Sequence, residues 1–327
     1  MHGAGLERYD VLPPRHLTAL INTMSDHLNP NPAVPPEIAT AAETGELVVF
    51  AGAGISRLVG CPGWDQMANK VLDQLVPNGI DYHELSQIMQ IADPKKRLSI
   101  AKIIAKKHNM QIDYSVIFKA TRSDGDIYSC LNLFDSAFIT TNYEKNLVPV
   151  SRAKEPESNW RFSRRQDLLG VHLDKNGNVI HLHGCHDDPN SMIVTTRDYL
   201  EHYSSKELQT FLTYLFAKKT VLFLGYGLDE IEVLESIVRN AGGIVAGEQK
   251  RIRRFILQGF FSAEDGLART LEEYYRESFG IQLIGFPKDK KNYGQQVDIL
   301  AAWARQMKFG SVEFVDEVAA LEDEIRG

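Results

Sequence analysis

The chain has 327 residues, 43% of them hydrophobic and 24% charged, enough for a sizeable buried core without disulfides or metals. Its 36 basic and 43 acidic side chains leave a net charge of −7, a sign that repels phosphate backbones and argues against a protein built to grip nucleic acid. Three cysteines, Cys61, Cys130 and Cys185, form no C-x-x-C pair, and no apolar run is long enough to span a bilayer, which together lead us to expect a cytoplasmic protein without a disulfide framework, zinc ribbon or membrane anchor.

In chain order, residues 1–40 read as an N-terminal extension: a helix over 15–28, then a link (29–36) whose prolines cannot continue it. Such an extension serves equally well as a partner contact or as a strap over its own domain. The first core strand is expected at 47–51, apolar throughout as in a parallel strand covered on both faces. Residues from about 66 to 130 read as a helical insertion, broken near Asp93-Pro94, with Ile100, Ile103 and Ile104 on its second part. Further strands are expected at 134–140, 179–183, 192–195, 220–224, 254–258 and 282–285, and helices at 199–217, 229–240, 263–279 and 294–307. Strands alternating with helices predict an α/β fold, a doubly wound Rossmann-like parallel sheet occupying 41–308. An acidic tail over 309–327 is expected to follow, either an amphipathic contact helix or a solvated end.

Four segments carry chemistry. Gly52-Ala53-Gly54-Ile55-Ser56 follows the first strand, and glycines there let backbone amides approach a phosphate, although Arg57 stands where a third fingerprint glycine would be. A plain tight turn explains it nearly as well. Thr140-Thr141-Asn142-Tyr143-Glu144 brings polar side chains to a strand's C-terminal end, where open α/β sheets place ligands; capping of a following helix is the simpler alternative. His181-Leu182-His183-Gly184-Cys185-His186 admits a metal reading, but no second ligand cluster is visible, and hydrogen-bonded core histidines are favoured. Gly225-Tyr226-Gly227 is a second glycine turn. Two such turns in opposite halves of a doubly wound sheet suggest a dinucleotide across the switch point.

Taken in this order, the segments resemble the sirtuin superfamily, and most closely its branch in bacterial anti-phage defence, over about 47–303. Gly52-Ala53-Gly54-Ile55-Ser56 is similar to the family's NAD-binding turn, and Cys61-Pro62-Gly63-Trp64 to the segment that sets an aromatic ring beside nicotinamide. Thr141, Asn142 and Glu144 match the T-T-N-Y-D run with glutamate for aspartate, His183-Gly184 matches the catalytic H-G, and Gly225-Tyr226-Gly227 stands where the adenosine half is held. The resemblance implies an NAD⁺ hydrolase that gives nicotinamide and ADP-ribose and depletes NAD⁺ as a defence effector, with NAD as substrate and no metal. By it, Asn142 would position the nicotinamide ribose or the attacking water, and His183 would act as general base. It further implies a homo-oligomer, with a HerA-type ATPase or short Argonaute as a partner chain. The sequence shows no four-cysteine zinc module, so a peptide deacylase or ADP-ribosyl transferase is the less favoured enzyme. A non-catalytic NAD- or ADP-ribose-binding subunit of a larger complex remains the alternative.

Overall fold

Seven parallel strands build the sheet: β1 (Leu47–Ala51), β2 (Ala137–Thr140), β3 (Arg161–Phe162), β4 (Val179–His181), β5 (Thr220–Leu224), β6 (Arg254–Phe260) and β7 (Gln282–Pro287), in the order β3-β4-β2-β1-β5-β6-β7. The computed structural model describes residues 28–76, 80–119, 127–226 and 253–307. The helices expected at 15–28 and 229–240, Gly227 and the acidic tail therefore lie outside the described residues, apart from Leu28. The doubly wound parallel sheet is the expected architecture. After β2 the chain builds outward on one side of β1, and from β5 onward on the other. The switch point lies at β1, where an open α/β sheet leaves its ligand crevice.

All five residues of β1 are buried, and their alternation divides the core. Leu47, Val49 and Ala51 face one layer, formed with α1 (Pro36–Glu43) and with Leu300 and Trp303 further along the chain; Val48 and Phe50 face the other. Proline at the start of α1 costs nothing there, since the first amides of a helix have no internal partner. Behind α1, the proline-rich link is a strap on its own domain. The Trp303 indole donates to the Pro32 carbonyl (2.8 Å) and the Gln295 amide to the Pro30 carbonyl (2.6 Å).

After α2 (Ala53–Leu58) comes the insertion: α3 (Trp64–Asp73), α4 (Tyr82–Met89), α5 (Pro94–Lys107) and α6 (Tyr114–Ile117). Asp81, Asp93 and Asp113 cap the last three through their side chains, and Asp93-Pro94 starts α5 as the sequence suggested. These helices share a third apolar cluster that includes Met67, Leu72, Ile88 and Leu98 and reaches Tyr143, Met192 and Val194 in the sheet domain. They form a cap over one end of the sheet. α7 (Ile127–Leu131) then leads into β2.

Three expectations need correction. Residues 192–195 are not a strand; they run alongside the His183 turn, where the Ile193 amide donates to the His183 carbonyl (2.9 Å). The helix expected at 199–217 is two, α8 (Thr196–Tyr203) and α9 (Lys206–Lys218), because Ser205 ends the first and caps the second through its own hydroxyl. β3 was missed, being two half-buried residues at the sheet's edge. α10 (Asp265–Phe279) and α11 (Gly294–Gln306) fall close to their expected places.

Candidate active site

The register aligns the strand ends. Ala51 pairs with both Thr140 and Leu224, Thr140 with His181, and Leu224 with Leu257. The residues that follow, Gly52, Thr141, Leu182, Gly225 and Gln258, therefore form one rim at the C-terminal edge. Over this rim, beneath the helical cap, lies a cavity of about 880 Å³. Of the residues singled out from the sequence, Ala53, Gly54, Ser56, Trp64, Thr141, Asn142, Glu144, His183, Gly225 and Tyr226 line it. Gly52 lies just beneath.

The glycine turns meet each other directly. The Gly54 amide donates to the Gly225 carbonyl (2.8 Å) and the Gly52 amide to the Leu224 carbonyl (2.8 Å). Those two amides are thus engaged within the fold and not left for a phosphate, which corrects the simplest reading of the first turn. Gly225 has φ +65°, and a Cβ there would lie 2.5 Å from the Ile55 nitrogen. Gly225→Ala is expected to lower stability by about 2 kcal/mol or more, from left-handed strain and the clash combined. An unchanged urea midpoint would show that the two turns can part without cost.

Asn142 is 5% exposed. Its side-chain amide donates to the Gly52 carbonyl (3.0 Å), tying the end of β2 to the turn after β1. Its backbone carbonyl is held from behind by His181 Nδ1 at 3.0 Å, while Arg161 meets Nε2 at 2.8 Å. Because arginine only donates, Nε2 must accept, and Nδ1 carries the proton that reaches Asn142. Burial, with the Arg161 charge, holds His181 down at about 3, so this ring stays neutral and its tautomer fixed. His181 and His183 thus face different partners rather than one common ligand.

His183 sits at the sharp turn whose next residue, Gly184, has φ +81° and packs directly on the Ser191 backbone. Tyr203 Oη lies 2.8 Å from Nε2 and Tyr199 Oη 3.3 Å from Nδ1. Those tyrosines are one turn apart on α8 with stacked rings. Burial, then His202 and the Lys95 ammonium, hold His183 well below the ordinary imidazole range, so it is neutral at pH 7. A neutral ring has one donor and one acceptor nitrogen, so one tyrosine accepts and the other donates.

The cap supplies an aromatic wall. Trp64 packs edge-on against Tyr143 and Tyr199, and Lys95 Nζ lies 3.9 Å from the Tyr199 ring centroid. Glu144 is turned into the core, its carboxylate bound by the Tyr128 hydroxyl and the Asn146 amide (2.8 Å). Burial pushes Glu144 upward from the usual carboxylate range. Exposed Arg57 stands at the cavity wall.

Sequence reasoning missed Lys95, Tyr199, Tyr203, Gln258 and Gln296, all of which line the same cavity. The four-residue spacing of the tyrosines was a readable signal. For the glutamines there was none.

The family described as "SIR2-like domain" matches residues 136–284. Over 239 residues the chain is 24% identical to "NAD(+) hydrolase ThsA" of Enterococcus faecium, covering 69% of this chain and 47% of that protein. Over 219 residues it is 28% identical to "Defense-associated sirtuin 2" of Bacillus subtilis, covering 60% of this chain and 19% of that protein. The chain therefore spans about half of one curated relative and about a fifth of the other.

Proposed function

From a chain that carries a SIR2-like domain over residues 136–284, we propose an enzyme that takes NAD⁺ into the rim cavity and hydrolyses its nicotinamide–ribose bond to nicotinamide and ADP-ribose. The observation that carries this reading is the meeting of Asn142 and a buried, neutral His183 in one cavity at the switch point.

The chemistry asks little of a general acid, because nicotinamide leaves a pyridinium and becomes neutral. The protein's work is to orient the ribose and admit water on one face while positive charge develops on the sugar. His183, neutral at pH 7, accepts the proton of a ribose hydroxyl or of the water, and Tyr199 and Tyr203 fix the plane of its ring. Asn142, locked by Gly52 in front and His181 behind, offers a preorganised polar edge to the same atoms. Trp64, Tyr143 and Tyr199 form the aromatic wall for the nicotinamide end, and Arg57 supplies positive charge for the pyrophosphate. The glycine turns set the backbone floor between the two halves.

We further propose that this activity serves antiviral defence inside bacterial cells, in line with the relatives' names, and that it is restrained. An open site would drain NAD⁺ continuously. Restraint by self-assembly or by a partner chain, such as a HerA-type ATPase or short Argonaute, would solve this. One observation supports the alternative of a binding subunit without turnover: both His183 nitrogens are already met by tyrosine hydroxyls.

Nicotinamide release from NAD⁺ by the purified chain, beside Asn142→Ala, separates the two readings. The expected result is release that falls by about 10²-fold in the variant, as for loss of a positioned polar group. NAD⁺ binding without release would favour the binding subunit. Full activity in the variant would remove Asn142 from the mechanism.

A further inference from the structure

Beside the His183 turn lies a second hollow that the hydrolytic reading leaves unused. It has a volume of about 410 Å³ and, among the described residues, shares no lining residue with the rim cavity. Its mouth is formed by Ser163, Arg164 and Arg165, which directly follow β3, and by Asn190. Arg164 Nε donates to Asp188 (2.8 Å), which fastens the two segments together and leaves the two outer nitrogens of Arg164 for a ligand. The side chains of Ser163, Arg165 and Asn190 make no hydrogen bond or ion pair with any described residue. Arg165 and Asn190 are exposed and Ser163 is half-buried, so their polar groups have surface to offer. Farther in, the walls are apolar: Leu168, Leu182 and Ile193, all buried. A row of solvated side chains on a convex face would have no such walls behind it.

We propose that this hollow binds a small organic phosphate and that its occupation speeds the reaction at His183. The regulatory half rests on the hydrolase reading; the binding half does not. A guanidinium free of any carboxylate, part of a second, a hydroxyl and an amide suit the three oxygens of a phosphate monoester better than the two of a carboxylate. The apolar walls take the body of the molecule, and the volume is that of a small-ligand site. Three residues of the hollow reach the base. Leu182 precedes His183 in the chain, the Ile193 amide donates to the His183 carbonyl (2.9 Å), and the His202 ring meets the His183 ring edge-on at 6.0 Å between centroids. The charge at the mouth is felt along this route, since burial and then Arg165 hold His202 at about 4. A phosphate offsets that positive charge. Negative charge near a base favours the protonated form it takes on as it accepts a proton.

Phenyl phosphate, an anionic head on a flat apolar body, is the probe. Calorimetry with the full chain is expected to give a Kd below about 1 mM, with benzoate at least about tenfold weaker. Arg165→Glu should weaken phenyl phosphate by at least about tenfold, and Asn190→Leu, which removes a donor without changing charge, by about threefold. Neither residue lines the rim cavity, so these losses place the probe in the hollow. Nicotinamide release from NAD⁺ should rise at least about threefold under saturating phenyl phosphate, and this response should vanish in Arg165→Glu. A Kd of about 1 mM or above, or unchanged affinity in both variants, overturns the proposal. Benzoate binding as tightly overturns phosphate as the head group. Tight binding with unchanged or slower release overturns the regulatory half. If NAD⁺ is cleaved under no condition, the hydrolase reading and the regulatory half fail together, while the calorimetric comparison still decides the binding site.

Discussion

His183→Ala is expected to lower nicotinamide release from NAD⁺ by about 10²-fold or more while leaving the fold intact. His183 faces the cavity just beyond β4, and its backbone carbonyl is held by the Ile193 amide, a contact the substitution leaves in place. The ring's own partners are two tyrosine hydroxyls that also line the cavity, where water can replace the imidazole without leaving them dry. The loss should therefore appear in kcat rather than in the thermal midpoint. His183→Gln, which keeps a polar side chain but cannot take a proton, is expected to behave like the alanine variant. Activity near that of the unmodified chain in both variants, with NAD⁺ saturating, would assign the proton transfer to another group, and Tyr203 would be the first to examine.

Acid should destabilise this protein well before its carboxylates protonate. His181 is held at about 3 by burial and then by Arg161, with Lys145 adding to and Asp187 opposing the effect. His202 is held at about 4 by burial and then Arg165, opposed by the Leu182 carbonyl. His183 shifts in the same direction. In the unfolded chain each histidine takes a proton near pH 6.5, whereas in the folded state none does until far lower pH. Between these limits the unfolded state binds more protons, so stability falls as pH falls through 6.5. At pH 5, His181 and His202 should together have cost about 4 kcal/mol relative to neutral pH, with His183 adding to the same trend. Glu144 works the other way, since its raised affinity for a proton favours the folded state in acid. The measurement is the urea midpoint between pH 7.5 and 5, beside His202→Gln, which should flatten the slope. A midpoint constant over that range would mean that these rings are hydrated or paired in the folded chain.

Much of the architecture was legible because it rests on local pattern. The apolar runs of β1 and β5 can only be strands buried on both faces, and the glycines that end them mark the places where the chain must turn tightly. Asp93-Pro94 marked a break between two helices, since the residue before a proline is pushed out of the helical region, and the structure adds that Asp93 caps the second of them. Asn142 and His183 were singled out by family resemblance; read alone, their positions at strand ends suited a helix cap and a core histidine equally well, and it is the register of the sheet that brings them to one cavity. Two-residue β3 was not legible, because a strand that short has no periodicity to detect. Nor was the break between α8 and α9, where a serine that could have continued a helix instead caps the next one.

What the sequence alone determined, then, is the alternation of apolar strands with helices and the glycine turns that end β1 and β5. Only the tertiary structure decided what surrounds them. Gly54 and Gly225 are 171 positions apart, yet each excludes a side chain on the other, so the reason for both glycines exists only once β1 and β5 lie side by side. The tautomer of His181 follows from Arg161, the neutrality of His183 from its burial and then from His202 and Lys95, and the hydrogen bonding of buried Glu144 from Tyr128, groups that reach the site from separate segments. Local pattern fixes where a chain turns and which face is apolar, because neighbouring residues set it; proton affinity and polar complementarity depend on groups brought together from afar, and so belong to the folded state alone.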